Sequence, residues 1–185
     1  MAKVELTTPH IVCIKYLQEK DDTDYGYCLW GNFIFNLDTW ELIITSDRGT
    51  FAHRWPKEKH EDFLQFISRC DKGYILQKLC GRPSEFNYEK TKKNLYDLYR
   101  NEEETTSYLN RIFEEIESEG YAINTPEIFL IKFEENDTEH RFYDTFELPM
   151  FEYPYDAKCI TEIFSKFIVP KVNQILQERK EQNHA

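Results

Sequence analysis

Four short runs rich in β-branched and aromatic residues, separated by turn clusters, fill the first 55 positions. That spacing constrains the fold more than any other feature, because consecutive strands joined by short turns pair antiparallel. The first run is His10 to Gln18. Asp21 to Gly26 is a turn cluster, and Tyr27 to Asn36 is a second strand with Gly31 as a candidate bulge. Leu37 to Thr39 turns the chain into Trp40 to Thr45. Asp47, Arg48 and Gly49 then make a tight turn into Thr50 to Trp55. The expected product is an antiparallel meander.

The periodicity changes at Pro56. Phe63, Leu64, Phe66 and Ile67 mark one face of a helix over Glu58 to Cys70, with Lys72-Gly73 as its C-cap. A short helix follows at Tyr74 to Leu79. Asn87 caps another through Arg100, with Leu95, Leu98 and Tyr99 inward. Between Glu102 and Glu119, Tyr108, Leu109, Ile112, Phe113 and Ile116 recur at helical spacing, so one face is apolar. Gly120 ends that helix. Asn124 to Glu127 has a helix-start signature, although Ile128 to Phe133 fits a strand equally well. Glu134 to Asp137 reads as an acidic turn, and Arg141 to Phe151 as irregular with one strand. Asp156 reads as the cap of a final helix, which Pro170 kinks or restarts; Arg179 to Ala185 reads as a frayed tail. The fold class is α+β: an N-terminal antiparallel β-meander over 1–56 packed against a C-terminal helical part over 57–185, in a single domain.

Charge is distributed unevenly. From Glu102 to Glu152 there are 15 acidic residues and 3 basic ones, Arg111, Lys132 and Arg141, a net of −12. The whole chain nets −11, so the other 134 residues sum to +1. Charge collected in one segment makes a local field that repels nucleic acid and attracts a basic groove. A solvated helix face is the ordinary fate of such a run. The sharper reading is nucleic-acid mimicry. Glu115 and Glu119 lie one helical turn apart, roughly 6 Å along the axis. With Glu114 and Glu117 they give a negative row that Glu134, Glu135, Asp137 and Glu139 extend if they fold nearby.

Other classes find little support. No apolar run reaches membrane-spanning length, and Met1 to Glu5 lacks the apolar core of a signal peptide, so the cytoplasm is the expected location. Cys13, Cys28, Cys70, Cys80 and Cys159 are odd in number and form no CxxC pair, which fits reduced, buried thiols. There is no P-loop, GxGxxG, GxSxG or HExxH. His53, His60 and Asp62 match no zinc spacing. Glu85, Glu89 and Lys90 are the best nuclease cluster on offer, but they fall on or beside a helix rather than on adjoining strands. The chain is therefore read as non-enzymatic, with no cofactor and no metal site.

Two further surfaces merit testing. The hairpin holding Asp47, Arg48, Arg54 and Trp55 is either a plain tight turn or a recognition loop with the arginines as anchors. Lys90, Lys92, Lys93 and Arg100, interleaved with Tyr88, Tyr96 and Tyr99, make a basic stripe that reads as a solvated face or as a weak nucleic-acid contact.

Thr45 to Trp55 (TSDRGTFAHRW), Phe63-x-x-Phe66-Ile67, and Cys70 to Leu79 (CDKGYILQKL) resemble a loose group of small accessory proteins encoded by phages and prophages. The likeness runs from Tyr27 to Leu79. It implies a phage origin, supplies no catalytic residues, and leaves out the acidic segment. Together with the charge, it implies an anti-CRISPR-like inhibitor acting in the host cytoplasm, with a basic-grooved host defence protein as partner. Direct nucleic-acid or membrane binding is not expected. The alternatives are a phage regulatory or assembly protein acting through the 47–55 hairpin, and a metal-dependent hydrolase or nuclease. An exposed aromatic patch on the C-terminal helix would point to a homodimer.

Overall fold

The computed structural model describes residues 6–21, 26–120, 122–142 and 145–184. Most of the Asp21 to Gly26 turn cluster and the first five residues lie outside them. The chain divides into two compact units: unit 1 is 1–82 with 154–185, and unit 2 is the intervening 83–153.

Unit 1 opens with the meander. Strands β1 (Ile11–Leu17), β2 (Trp30–Asn36), β3 (Glu41–Ser46) and β4 (Gly49–Arg54) pair antiparallel in the order β1-β2-β3-β4. The β3–β4 turn contains only Asp47 and Arg48, and Gly49 sits at φ +107°, a conformation that glycine adopts without strain. Gly31 makes no bulge. It pairs regularly with Tyr16 and Ser46, and a Cβ there would come within 3.0 Å of the Phe33 ring. The glycine therefore makes room for a core aromatic.

Helices follow where their caps allow. Asp62 accepts from the Leu64 and Gln65 amides and starts α1 (Phe63–Ser68), so Glu58 to Glu61 stay outside the helix. Lys72-Gly73 is no C-cap: Asp71 accepts from the Tyr74 amide at 2.8 Å and starts α2 (Lys72–Cys80) two residues before the expected Tyr74. In α6 (Tyr155–Ile163), Asp156 lies in the first turn and Pro154 holds the cap position. The backbone then widens into a π-turn over Phe164–Ile168 and continues as α7 (Val169–His184). In that turn the Val169 amide bonds back to Phe164. Pro170, which has no amide hydrogen, is thus carried in a continuous helix. The expected frayed tail is helical to His184.

The sheet's buried face supplies Phe33, Phe35, Leu42 and Ile44 to a core completed by Phe63, Leu64, Ile67, Ile75, Ile160, Phe164 and Val172. An α+β arrangement, with an N-terminal meander packed on helices, is therefore the fold of this unit.

Unit 2 is helical. Its ends meet in a short ladder, β5 (Glu85–Phe86) with β6 (Phe151–Glu152), and Ser84 and Asn87 donate to Glu152 and Met150 beside it. Between them run α3 (Tyr88–Leu98), α4 (Glu103–Ser118) and α5 (Pro126–Asn136). Thr125 caps α5 through the Ile128 amide and Pro126 occupies its first turn, which resolves the helix-or-strand ambiguity of Ile128 to Phe133 in favour of helix. Glu134 and Glu135 consequently lie in the last turn of α5 rather than in a loop. The α4 stripe is buried as its spacing predicts, and Leu95, Phe129, Phe133 and Phe142 close the core around it. Leu98, expected inward, is 63% exposed at the end of α3.

Candidate protein-binding surface

The boundary between the units is also a boundary in charge. Residues 83–153 hold 18 acidic and 7 basic residues, a net of −11; unit 1 holds 16 of each and nets zero. All the formal charge of the chain thus belongs to unit 2.

Within that unit the expected acidic row is divided among different environments. Glu114 and Glu115 lie on α4 away from its buried stripe, are exposed, and make no ion pair among the described residues. Glu117 lies on the flank towards α3. It accepts from Lys92 Nζ at 2.5 Å and Tyr88 Oη at 3.0 Å. The Lys92 bond, and secondarily the Tyr88 bond, hold its carboxyl below the usual range against partial desolvation. Glu119, at the end of the same helix, pairs with Lys132 of α5 at 2.8 Å, and Lys132 also meets Glu135 at 3.0 Å. These two carboxylates push the Lys132 ammonium pKa up. Glu139 pairs with Arg141 at 2.7 Å and more loosely with Arg111, while Arg141 also holds Glu104 at 2.8 Å. Glu134 accepts from Thr145 Oγ1 at 2.7 Å. All three cations of the acidic segment are therefore engaged by its own acids.

Asp137 is not a surface residue. It is 3% exposed and accepts from Tyr108 Oη at 2.9 Å and from the Arg141 and Phe142 amides at 3.0 Å. It fixes the chain as it leaves α5, which is a structural task. Its partners lie on another helix and in the next loop, so neither spacing nor composition announces it.

The hairpin is likewise turned to internal use. Asp47 accepts from the Leu29 and Trp30 amides and from Cys28 Sγ. Partial desolvation alone would raise its carboxyl pKa, but these bonds and the Arg48 charge outweigh it and leave it lowered. Arg48 donates to the Tyr27 carbonyl at 2.7 Å and the Gly26 carbonyl at 2.6 Å, and lies 3.5 Å from Asp156. Trp55, the fourth candidate of this hairpin, is 4% exposed. Its Nε1 donates to Tyr74 Oη at 2.9 Å, and its ring packs against Phe63 and Phe66. Arg54 and Asp47 are exposed, and Arg54 donates to the Thr39 carbonyl.

The basic stripe offers no stacking platform. Tyr88 and Lys92 are spent on Glu117, Tyr96 donates to Asn110, and Tyr99 packs edge-on to Phe142. His53 lies 4.5 Å from the Trp55 ring, and Asp62 is the α1 cap. Among the described residues, no group of three or more His, Cys, Asp or Glu side chains is placed to hold a metal ion. All five cysteines are free; Cys28 and Cys159 are buried, and Cys13 is exposed. Burial, helped by the Asp47 carboxylate, pushes the Cys28 thiol up to about 12. Among the described residues, no helix is long and apolar enough to cross a membrane.

Comparison with known proteins agrees with the phage-like central motif and widens it. The family model Phage_phiTE_072, described as a phage family, matches residues 5–178, and the chain belongs to that family. No curated protein and no solved structure matches the chain.

Proposed function

We propose that this phage-family protein is a non-enzymatic inhibitor of a host antiviral nucleic-acid-binding complex, of which a CRISPR nuclease is one form. In this reading unit 2 occupies a Lys/Arg-lined channel or its mouth and competes there with nucleic acid. The observation that carries it is the confinement of the whole −11 charge to one unit, with Glu114 and Glu115 presented outward and unneutralised. A surface of that sign gains affinity by releasing counterions from a basic groove, as DNA does, and loses it as salt rises.

The test is capture from phage-host lysate at low and moderate salt. Wild type should retain a nucleic-acid-binding complex that added DNA displaces, and Glu114→Lys/Glu115→Lys should lose it. A partner held equally by that variant and indifferent to DNA refutes the proposal. Asp47 and Arg48 are tied to the backbone of residues 26–30 and Trp55 is buried, which gives the hairpin reading no comparable support.

A further inference from the structure

Alternation along the meander sends one set of side chains to the helices and the other to the opposite face of the sheet. The first set includes Phe33 and Phe35, which meet Phe164 and Phe63. The second set would be polar on a solvated sheet face. Here the register lines up Cys13 with Ile34, Ile34 with Ile43, and Ile43 with Ala52. One apolar row therefore crosses all four strands, and none of its members belongs to either core cluster. Along β1 and β2 the same face adds Ile11 at 52% exposure, Leu17 at 77% and Trp30 at 41%, the last two directly paired. Isolated apolar residues on a surface are ordinary, but a contiguous row of this kind marks an interface.

We propose that this face is covered by the same face of a second copy, with the two sheets stacked about a two-fold axis that runs parallel to the strands between β2 and β3. The argument for a second copy is complementarity. Rotation about that axis reverses the row, so Ile34 packs on the partner's Ile43 and Cys13 on the partner's Ala52. The next row, Ile11, Asn36, Glu41 and Arg54, reverses likewise. It sets the Asn36 amide against the partner's Glu41 carboxylate and the Arg54 stem against the partner's Ile11. Lys15, in the row on the other side, meets the partner's Thr50. No like charges face each other, and unit 1 has no net charge to oppose the approach. Aligned packing of twisted sheets at about −30° accommodates the arrangement.

Sedimentation velocity on the full chain, over roughly 5 to 200 µM, tests this by mass action. Wild type should sediment as a species of twice 22.4 kDa and change little with salt. Ile43→Glu places a carboxylate in the middle of the row without touching the core and should raise the dimer dissociation constant at least ~10-fold. Ala52→Glu, at an exposed position on the edge strand, should do the same and decides the matter if Ile43→Glu fails to fold. A wild type that stays monomeric across the range, or a dimer that Ala52→Glu leaves intact, overturns the proposal.

Discussion

The two units share a chain and little else. Unit 1 is a neutral sheet-and-helix body whose polar residues tie loops to strands: Asp47 and Arg48 are spent on the backbone of residues 26–30. Unit 2 is built on α3, α4 and α5, with a core rich in phenylalanine and tyrosine and a net charge of −11. It meets the cost of that charge by internal pairing, with Lys92, Lys132 and Arg141 each gripping carboxylates from a different element. The contrast teaches that charge count and usable charge differ. Of the eight acids expected to form the binding row, one is buried, several are neutralised locally, and Glu114 and Glu115 are left without an ion-pair partner among the described residues. A surface built for solubility has no need to bury Asp137, and of the expected row a mimic keeps clear the part of α4 that carries Glu114 and Glu115.

The contrast can be broken by asking whether the units melt together. Trp30, Trp40 and Trp55 all lie in unit 1, so tryptophan fluorescence follows that unit, while near-ultraviolet circular dichroism adds the tyrosines of unit 2. Trp55→Ala, which empties a core site and removes the bond to Tyr74, should cost about 4 kcal/mol in urea unfolding followed by the remaining tryptophans. Asp137→Ala removes the acceptor of the Tyr108 hydroxyl and of the Arg141 and Phe142 amides and should cost about 3 kcal/mol, seen in the tyrosine signal of unit 2. If either variant shifts both signals equally, the units form one cooperative block and the contrast is one of composition only.

A smaller effect separates the two kinds of polar work. Asp47→Ala should cost about 1.5 kcal/mol by loss of its accepted hydrogen bonds. Because the folded carboxyl pKa is depressed, that stabilisation is complete above the ordinary aspartate value of about 3.9 and is lost as pH falls through the lower folded value. The fluorescence-detected stability of wild type should therefore fall more steeply than that of Asp47→Ala in acid. Smallest of all, Glu114→Lys/Glu115→Lys should change unit 2 stability by under ~0.5 kcal/mol, whereas Glu117→Ala, which removes the acceptor of Lys92 and Tyr88, should cost about 1 kcal/mol. A larger loss from the first variant would show that these two glutamates, too, have internal roles.

Periodicity carried the sequence reading furthest where burial is one-sided. The α4 stripe from Tyr108 to Ile116 and the four strands follow directly from spacing, and Pro126 with Thr125 marks the start of α5. Helix ends were harder, because Lys72-Gly73 satisfies a C-cap pattern while the aspartate just before it satisfies an N-cap pattern, and only the Tyr74 amide decides. The burial of Trp55 is not legible from the hairpin alone, because strand alternation gives no sign of the helix whose Phe63 and Phe66 cover it. The division of the acidic row was hidden for a different reason. Its pairs, such as Lys92 with Glu117 and Arg141 with Glu104, join residues 25 and 37 apart. The acidic segment 102–152 ends one residue short of the C-terminal edge of unit 2 but begins well inside it, because β5 and α3 carry little net charge and composition does not separate them from unit 1.

The β5–β6 ladder has a kinetic meaning. Helices α2 and α6 pack together in unit 1, yet 71 residues of unit 2 separate the two stretches of chain that carry them. Joining them from an open chain requires closing that long loop. If unit 2 condenses first, the pairing of Phe86 with Phe151 clamps its two ends and shortens the effective loop to a few residues, a saving of about 2 kcal/mol in closure entropy. Unit 2 would then act as a chaperone in cis for the scaffold that carries it, and mutations that slow its condensation would lower the yield of folded unit 1 without altering a single contact inside it.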